Sequence, residues 1–451
     1  MGTYDAGMLA VLRVRTYRHL FAAQVVALTG TGLATVALGL LAYRLAGPDA
    51  GAVLGTALAI KMIAYVTVAP LAGAIAGRLP RRGLLVGLDL VRAAVAVVLP
   101  WVGEIWQVYL LIFLLQAASA AFTPAFQATV PDVLPDERDY TRALTLSRLA
   151  YDLESLLSPA LAAAVLLLVS FENLFLGTAI GFVASALLVV SVVLPGARPQ
   201  RRRGLYEGTT RGIRIYLSTP RLRGLLAVHL AVAAAGSMVL VNTVVYVRDV
   251  LGREAADVAF ALAANGIGSL LAALALPRLL DRVADRAVVL RASVLLAVAM
   301  FAGFGLVPLA GGWHWSALLL LWAVVGAGSS MVLTPGSRLL RRSADPGDFP
   351  VLFAADFALS HACWLLCYPL AGWLATVTNT TVTFAVLGAI TLSSSAVAMR
   401  LWPRHDPECL EHVHDDLDPD HHHLQDAVPA GGVWRHTHTY RIDDFHDRWP
   451  R

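Results

Sequence analysis

Nine of the thirteen histidines of this chain fall between Pro403 and Arg451: His405, His412, His414, His421, His422, His423, His436, His438 and His446. Imidazoles mixed with carboxylates and one thiol, Cys409, form an intermediate ligand set that suits nickel, zinc or cobalt better than magnesium or calcium. The segment 404–426 has no apolar periodicity and is expected to stay unstructured until something binds. After Gly431-Gly432 the run Trp434, His436, His438, Tyr440, Ile442 alternates with Arg435, Thr437, Thr439, Arg441. That period of two predicts a short strand with His436 and His438 on one face. The competing reading of the tail is a solvating acidic extension. No tightly bound cofactor is expected, only transient nickel, zinc or cobalt at the tail.

A second constellation lies in an apolar stretch, where Asp356, Ser360, Cys363 and Cys367 follow at spacings of four, three and four residues. On a helix they form one stripe, and a carboxylate, a hydroxyl and two thiols in file are stepping ligands for a borderline-soft divalent metal. The alternative is that Cys363 and Cys367 are small packing residues at a helix contact. Lys61, the sole lysine, sits deep in another apolar run and needs a counter-charge there. It reads either as a coupling or gating cation or as a structural ion-pair partner. Asp152 and Glu154 are two positions apart, about 200° around a helix, so they cannot both face one cavity. One of them is the expected proton carrier, with Lys61 as its modulator. Asp89 and Arg92, at i and i+3, read as a structural pair.

The elements that hold these residues follow from composition. With 57% hydrophobic and 15% charged residues and a mean hydropathy of +0.66, the chain cannot fold as a water-soluble domain without large exposed apolar patches. Continuous apolar runs, rather than alternating ones, imply helices. They fall near 20–45, 51–77, 83–102, 106–130, 143–170, 174–194, 224–247, 257–280, 288–309, 315–337, 351–375 and 380–402, twelve in all. The first follows Arg13, Arg15 and Arg18, exceeds a signal-peptide apolar core and is expected to be retained. Arginines mark the even-numbered loops, with Arg78, Arg81 and Arg82, then Arg138 and Arg142, then Arg278, Arg282 and Arg286, then Arg338, Arg341 and Arg342. The positive-inside rule therefore places both termini, and the histidine tail, in the cytoplasm. Arg248 and Arg253 run against this trend.

The polar stretch 196–223 holds eight arginines against Glu207 alone and divides the chain into two halves of six spans. An RNA-binding role for this run is weaker than that of a cytoplasmic linker held against anionic headgroups. The expected organisation is a first half over 1–195, the linker over 196–223, a second half over 224–402 and the tail over 403–451. The halves look duplicated. Gly77-Arg78-Leu-Pro-Arg81-Arg82 is matched by Pro277-Arg278-Leu-Leu-Asp281-Arg282, Thr123-Pro124 by Thr334-Pro335, and Ser158-Pro159 by Tyr368-Pro369.

At these residues the chain resembles the major facilitator superfamily. The loop from Gly73 through Arg78, Arg81 and Arg82 is similar to that family's gating signature, with Gly77 in place of its aspartate, while Asp281-Arg282 keeps the aspartate in the second half. Ser158 and Pro159 stand at the place of the antiporter motif of span 5. Phe113 lies where the family's membrane arginine would be, although Gln116 fits the motif. The run Phe122-Thr-Pro124-Ala125 resembles the branch of macrolide and siderophore exporters, and the tail resembles those of nickel-resistance exporters. The resemblance implies an all-α integral membrane protein of two pseudo-symmetric six-helix halves that works by alternating access and proton antiport.

The function expected is export of a divalent transition metal such as nickel, with the lipid bilayer, the substrate and protons as partners and no nucleic acid. Export of a hydrophobic drug, macrolide or siderophore with a regulatory metal-binding tail is the alternative, and a non-transporting membrane metal sensor is a third reading. The expected location is the cell membrane, the inner one in a bacterium. No nucleotide-binding or nucleophilic motif occurs, so no enzyme activity is expected. The three cysteines supply no disulfide framework.

Overall fold

The computed structural model describes residues 9–76, 80–194, 205–306, 314–345, 348–406, 409–414, 428–430, 433–442, 446 and 449. Twelve long helices dominate these residues. In the first half they are α1 (Arg15–Ala46), α2 (Ala50–Ala76), α3 (Arg81–Val98), α4 (Ile105–Val133), α5 (Glu137–Leu166) and α6 (Glu172–Val190). The amphipathic linker helix α7 (Leu205–Ser218) follows. The second half has α8 (Pro220–Val245), α9 (Ala255–Leu280), α10 (Asp285–Leu306), α11 (His314–Ser343), α12 (Phe349–Val377) and α13 (Thr380–Leu401). All twelve match an expected apolar run. Apolarity alone marks only Leu157–Leu166 of α5, because its first half carries Asp139, Arg142, Arg148, Asp152 and Glu154.

Local chemistry sets the helix ends. Pro220 opens α8 at a position where its missing N–H costs nothing. Glu104 with Gln107, and Glu254 with Asp257, close capping boxes on α4 and α9. Asn379 caps α13 by accepting from the Val382 amide at 2.9 Å. Gly47 and Gly252 adopt φ of 54° and 61° at the corresponding turn of each half, a backbone that a side chain would strain.

The packing repeats as the sequence does. The contacts α1 with α6, α2 with α4 and α3 with α6 recur as α8 with α13, α9 with α11 and α10 with α13. Between the halves, α2 runs along α12 and α5 along α9, a pair of contacts that the same pseudo-two-fold exchanges. The α2–α12 seam is tight enough that a methyl on Gly372 would sit 2.1 Å from the Gly51 carbonyl oxygen. The apolar core crosses from one half to the other through residues such as Leu41, Leu54, Val244, Trp322 and Tyr368.

The arginines that break the loop pattern have partners. Arg253 pairs with Asp257 at 3.1 Å and lies over the Trp315 ring at 4.2 Å, while Arg248 lies 5.5 Å from the Tyr43 ring. Trp101 and Trp106 are exposed on the face opposite the chain termini.

The membrane bundle is all-α, as expected, and the tail adds a three-stranded antiparallel sheet of β1 (Cys409–His414), β2 (Val428–Ala430) and β3 (Val433–Thr439), in the order β1-β3-β2. Part of the segment expected to stay unstructured is therefore a strand. Leu410 and His412 find cross-strand partners in His438 and His436, long-range pairings that local composition does not reveal. The linker helix is held by contacts with the second half. Arg211 forms a bidentate pair with Asp348 at 2.7 and 2.8 Å, and Ile215 and Tyr216 are fully buried.

Candidate functional site

The first group of interest forms where α1 crosses α5. A methyl on Gly32 would fall 2.1 Å from both Cβ and Oγ of Ser158 and 2.5 Å from Oε1 of Glu154, so α1 is bare at the one place where α5 presses its polar face. Ser158 hydrogen-bonds Glu154 one helical turn away, and Lys61 on α2 interacts electrostatically with the same carboxylate. The lone lysine thus has the counter-charge that its depth demands. The side chain of Asp152 lies outside the described residues.

The chain of polar groups continues across the seam. Lys61 Nζ stands 5.9 Å from the Tyr65 ring, which faces Phe357 at 6.2 Å and His361 at 6.0 Å on α12. His361 stacks on Phe357 at 3.8 Å and interacts with both Lys61 and His229. On the far side, His229 Nδ1 of α8 lies 3.9 Å from Asp356 Oδ1, and the Tyr216 hydroxyl of the linker helix donates to that oxygen at 2.9 Å. Glu154, Lys61, His361, His229 and Asp356 therefore form a string of ionisable groups that runs from one half to the other. Sequence reasoning used Lys61, Glu154 and Asp356 but missed His229 and Tyr216. His229, an isolated imidazole in an apolar run, was the available signal.

The cysteine stripe lies on α12, in the apolar interior. Cys363 and Cys367 are buried, and the group of three close ligand atoms found among the described residues is made of tail histidines and includes neither thiol. Their place is in the core, packed among apolar side chains. Asp89 and Arg92 are buried together; Asp89 accepts from Ser185 at 2.7 Å, and the Arg92 guanidinium lies between Phe122 and Phe182.

The gating residues divide. Arg81, at the start of α3, pairs with Asp132 near the end of α4, and Arg82 donates to the Val190 carbonyl. Gly73 lies in the last turns of α2, and Arg78 lies outside the described residues. In the second half Asp281 and Arg282 are exposed, and the carboxylate in the clasp is Asp285, with Arg338 at 3.5 Å and Arg342 at 3.4 Å. The two clasps occupy equivalent helix ends with their charges exchanged.

The second group of interest is in the tail. The register sets His412 opposite His436, and strand periodicity puts His438 on the same face as His436. The nitrogens of these three imidazoles lie within 4.8 Å of one another. His446 joins them from the following segment, its Nε2 3.0 Å from Nε2 of His412. His412 Nδ1 lies 3.2 Å from the Leu410 carbonyl and His438 Nδ1 lies 2.8 Å from the Thr439 carbonyl. A carbonyl only accepts, so each Nδ1 carries the proton and each Nε2 is the acceptor nitrogen of its ring. Burial, aided by the imidazoles of His446, His436 and His438, pushes His412 down to about 4 against that Leu410 hydrogen bond. It is therefore neutral at neutral pH. His405 is exposed apart from the cluster, and Cys409 on β1 faces Thr439 at 3.9 Å. The side chain of His414, and all of His421, His422 and His423, lie outside the described residues.

Comparison with known proteins places this geometry. The family model described as Major Facilitator Superfamily matches residues 20–314 and again 229–415. No curated protein matches the chain. Among solved structures, the nucleoside transporter NupG is similar with a TM-score of 0.65 at 14% identity, over 86% of this chain and 98% of that one. A D-xylose-proton symporter is similar with a TM-score of 0.62 at 14% identity, over 89% and 98%. A POT family transporter in complex with a thioalcohol conjugated peptide gives a TM-score of 0.64 at 12% identity, over 85% and 96%.

Proposed function

This chain belongs to the Major Facilitator Superfamily, and from that premise we propose that it exports a divalent transition metal, nickel, cobalt or zinc, by alternating access in exchange for protons. Membership makes it a membrane transporter rather than an enzyme. The observation that carries the choice of metal is the convergence of His412, His436 and His438 at the face of the bundle where the chain ends. Three converging imidazoles favour borderline divalent ions over magnesium or calcium. With arginine-rich loops on that face, the cluster collects metal from the cytoplasm and both termini are cytoplasmic.

In this account the halves rock about the α2–α12 and α5–α9 seams, exposing the space between them to one side and then the other. Glu154 carries the proton, and Lys61 modulates it by offering or withdrawing its counter-charge. Asp356 and His229 form the corresponding station in the second half, with His361 between the two. Protonation of the carboxylates on the outer side releases the cation, and proton loss inside restores the anionic site.

A second reading, export of a hydrophobic compound such as a drug, macrolide or siderophore, draws on the rings of Tyr65, Phe357 and His361 gathered at the seam. Flux through purified protein separates the readings. Proteoliposomes loaded with a metal-sensitive dye are expected to respond to nickel or zinc under an imposed proton gradient, and the response is expected to vanish in Glu154→Gln. Flux of a hydrophobic dye with none of metal would support the second reading, and no flux of either would support a sensor.

A further inference from the structure

The tail is anchored to the second half by the residues that lie between two of its imidazoles. His438 ends the pair on β3, His446 follows eight positions later, and Tyr440, Arg441 and Ile442 fall between them. Tyr440 and Ile442 are buried in the apolar core that includes Leu339, Leu340 and Ala344 of the α11 end. Arg441 pairs with Asp345, just beyond α11. Arg221, almost fully buried at the start of α8, reaches Asp406 at 3.2 Å and lies 5.0 Å from the Trp449 ring. Tyr440 touches both layers, with its ring 4.8 Å from His412, 4.6 Å from His446 and 5.2 Å from Trp449. A cavity beside this anchor is lined by Ser337, Arg338, Arg341, Arg342, Thr439 and Arg441, so the tail wall faces the arginines that clasp Asp285.

We propose that His412, His436, His438 and His446 form a four-imidazole site for a divalent transition ion whose occupancy latches the tail onto the cytoplasmic end of α11. The ligand atoms suit a tetrahedral ion. Metal–nitrogen bonds of about 2.0–2.1 Å set neighbouring nitrogens about 3.3 Å apart. His412 and His446 stand at 3.0 Å, and the other three-way set within 4.8 Å closes by rotation of rings already in mutual contact. His436 and His446 are 7% and 3% exposed, so the site is sheltered. An ion held by His438 and His446 closes the loop 438–446, fixing Tyr440, Arg441 and Ile442 in the geometry that grips α11. A loop closed in advance loses less entropy on docking, so metal binding and docking favour each other. The latch holds whether or not the metal is also the cargo.

Reciprocity supplies the test. The full chain in lipid nanodiscs is titrated with Zn²⁺, with Mg²⁺ as control, while amide hydrogen exchange is followed over 409–414 and 433–442. Zn²⁺ is expected to slow exchange in both strands and in 440–442 by about tenfold or more, and His412→Ala with His446→Ala to abolish the effect. Asp345→Ala removes the anchor without touching a ligand and is expected to weaken Zn²⁺ binding about fivefold or more; Asp345→Asn provides a milder version should the first disturb the α11–α12 turn. Zn²⁺ affinity unchanged in both Asp345 variants, or unchanged exchange at 440–442 on metal binding, would overturn the latch. Metal flux measured on the same preparation distinguishes the two proposals: absent flux with an intact latch removes the export reading alone.

Discussion

His412 and His446 meet Nε2 to Nε2 at 3.0 Å across 34 residues of chain. With the Nδ1 proton of His412 committed to the Leu410 carbonyl, its Nε2 is the acceptor in this contact and His446 Nε2–H the donor, and a cation bound by both nitrogens takes the place of that proton. His412→Ala is expected to lower Zn²⁺ or Ni²⁺ affinity of the whole protein by about a hundredfold or more. His405→Ala, at an exposed position outside the cluster, is expected to leave it unchanged. Isothermal titration of both variants checks the difference.

The contact of Gly32 with Glu154 and Ser158 makes a second prediction. Gly32→Ala pushes a methyl into space held by Ser158 Cβ at 2.1 Å, a clash that overpacked interiors register at about 1–3 kcal/mol. Transport is expected to fall more than tenfold and the melting temperature to drop. Adding Ser158→Gly is expected to restore part of both, since the two residues compete for one volume. Thermal unfolding in detergent, paired with flux assays, reads the interaction.

The linker helix is fastened to α12 by charge and by a hydrogen bond. Arg211→Ala leaves Asp348, 7% exposed in its side chain, without its bidentate partner, at a cost of about 1.5–3 kcal/mol. Proteolysis within 205–218 is expected to accelerate in this variant. Tyr216→Phe removes the 2.9 Å hydrogen bond to Asp356 and is expected to slow transport several-fold while the linker stays protected. Equal proteolysis in wild type and Arg211→Ala would contradict the fastening.

The clasps with exchanged charges predict tolerance of reversal. Arg81 with Asp132, and Asp285 with Arg342, join equivalent helix ends in the two halves. Arg81→Asp is expected to reduce transport strongly, and Arg81→Asp with Asp132→Arg to recover it, because the pseudo-symmetric half already works with the opposite polarity. A double variant as impaired as the single one would contradict the equivalence.

Much of the bundle was legible because a membrane span must bury or satisfy its whole backbone, and uninterrupted apolar runs are the trace that this leaves. All twelve runs became helices, and the duplicated loop signatures became a duplicated packing pattern. The strand at His436 and His438 was legible from its period of two. Its partner was not, since β1 pairs across a separation of twenty residues or more and its own composition is that of a loop. Lys61 and Glu154 were legible as costly intramembrane charges, but the bare surface of Gly32 that accommodates Glu154 depends on how α1 and α5 cross. Cys363 and Cys367 were legible as one helical stripe, but their burial in the core depends on the helices packed around α12.

The central claim is tested most directly by recording metal and proton movement together in proteoliposomes of the purified protein, with one dye for Ni²⁺ or Zn²⁺ and another for internal pH. The account predicts metal flux coupled to counterflow of protons, with both signals lost in Glu154→Gln. Metal flux that persists without proton movement, or no metal flux in protein that carries a hydrophobic substrate, would contradict it.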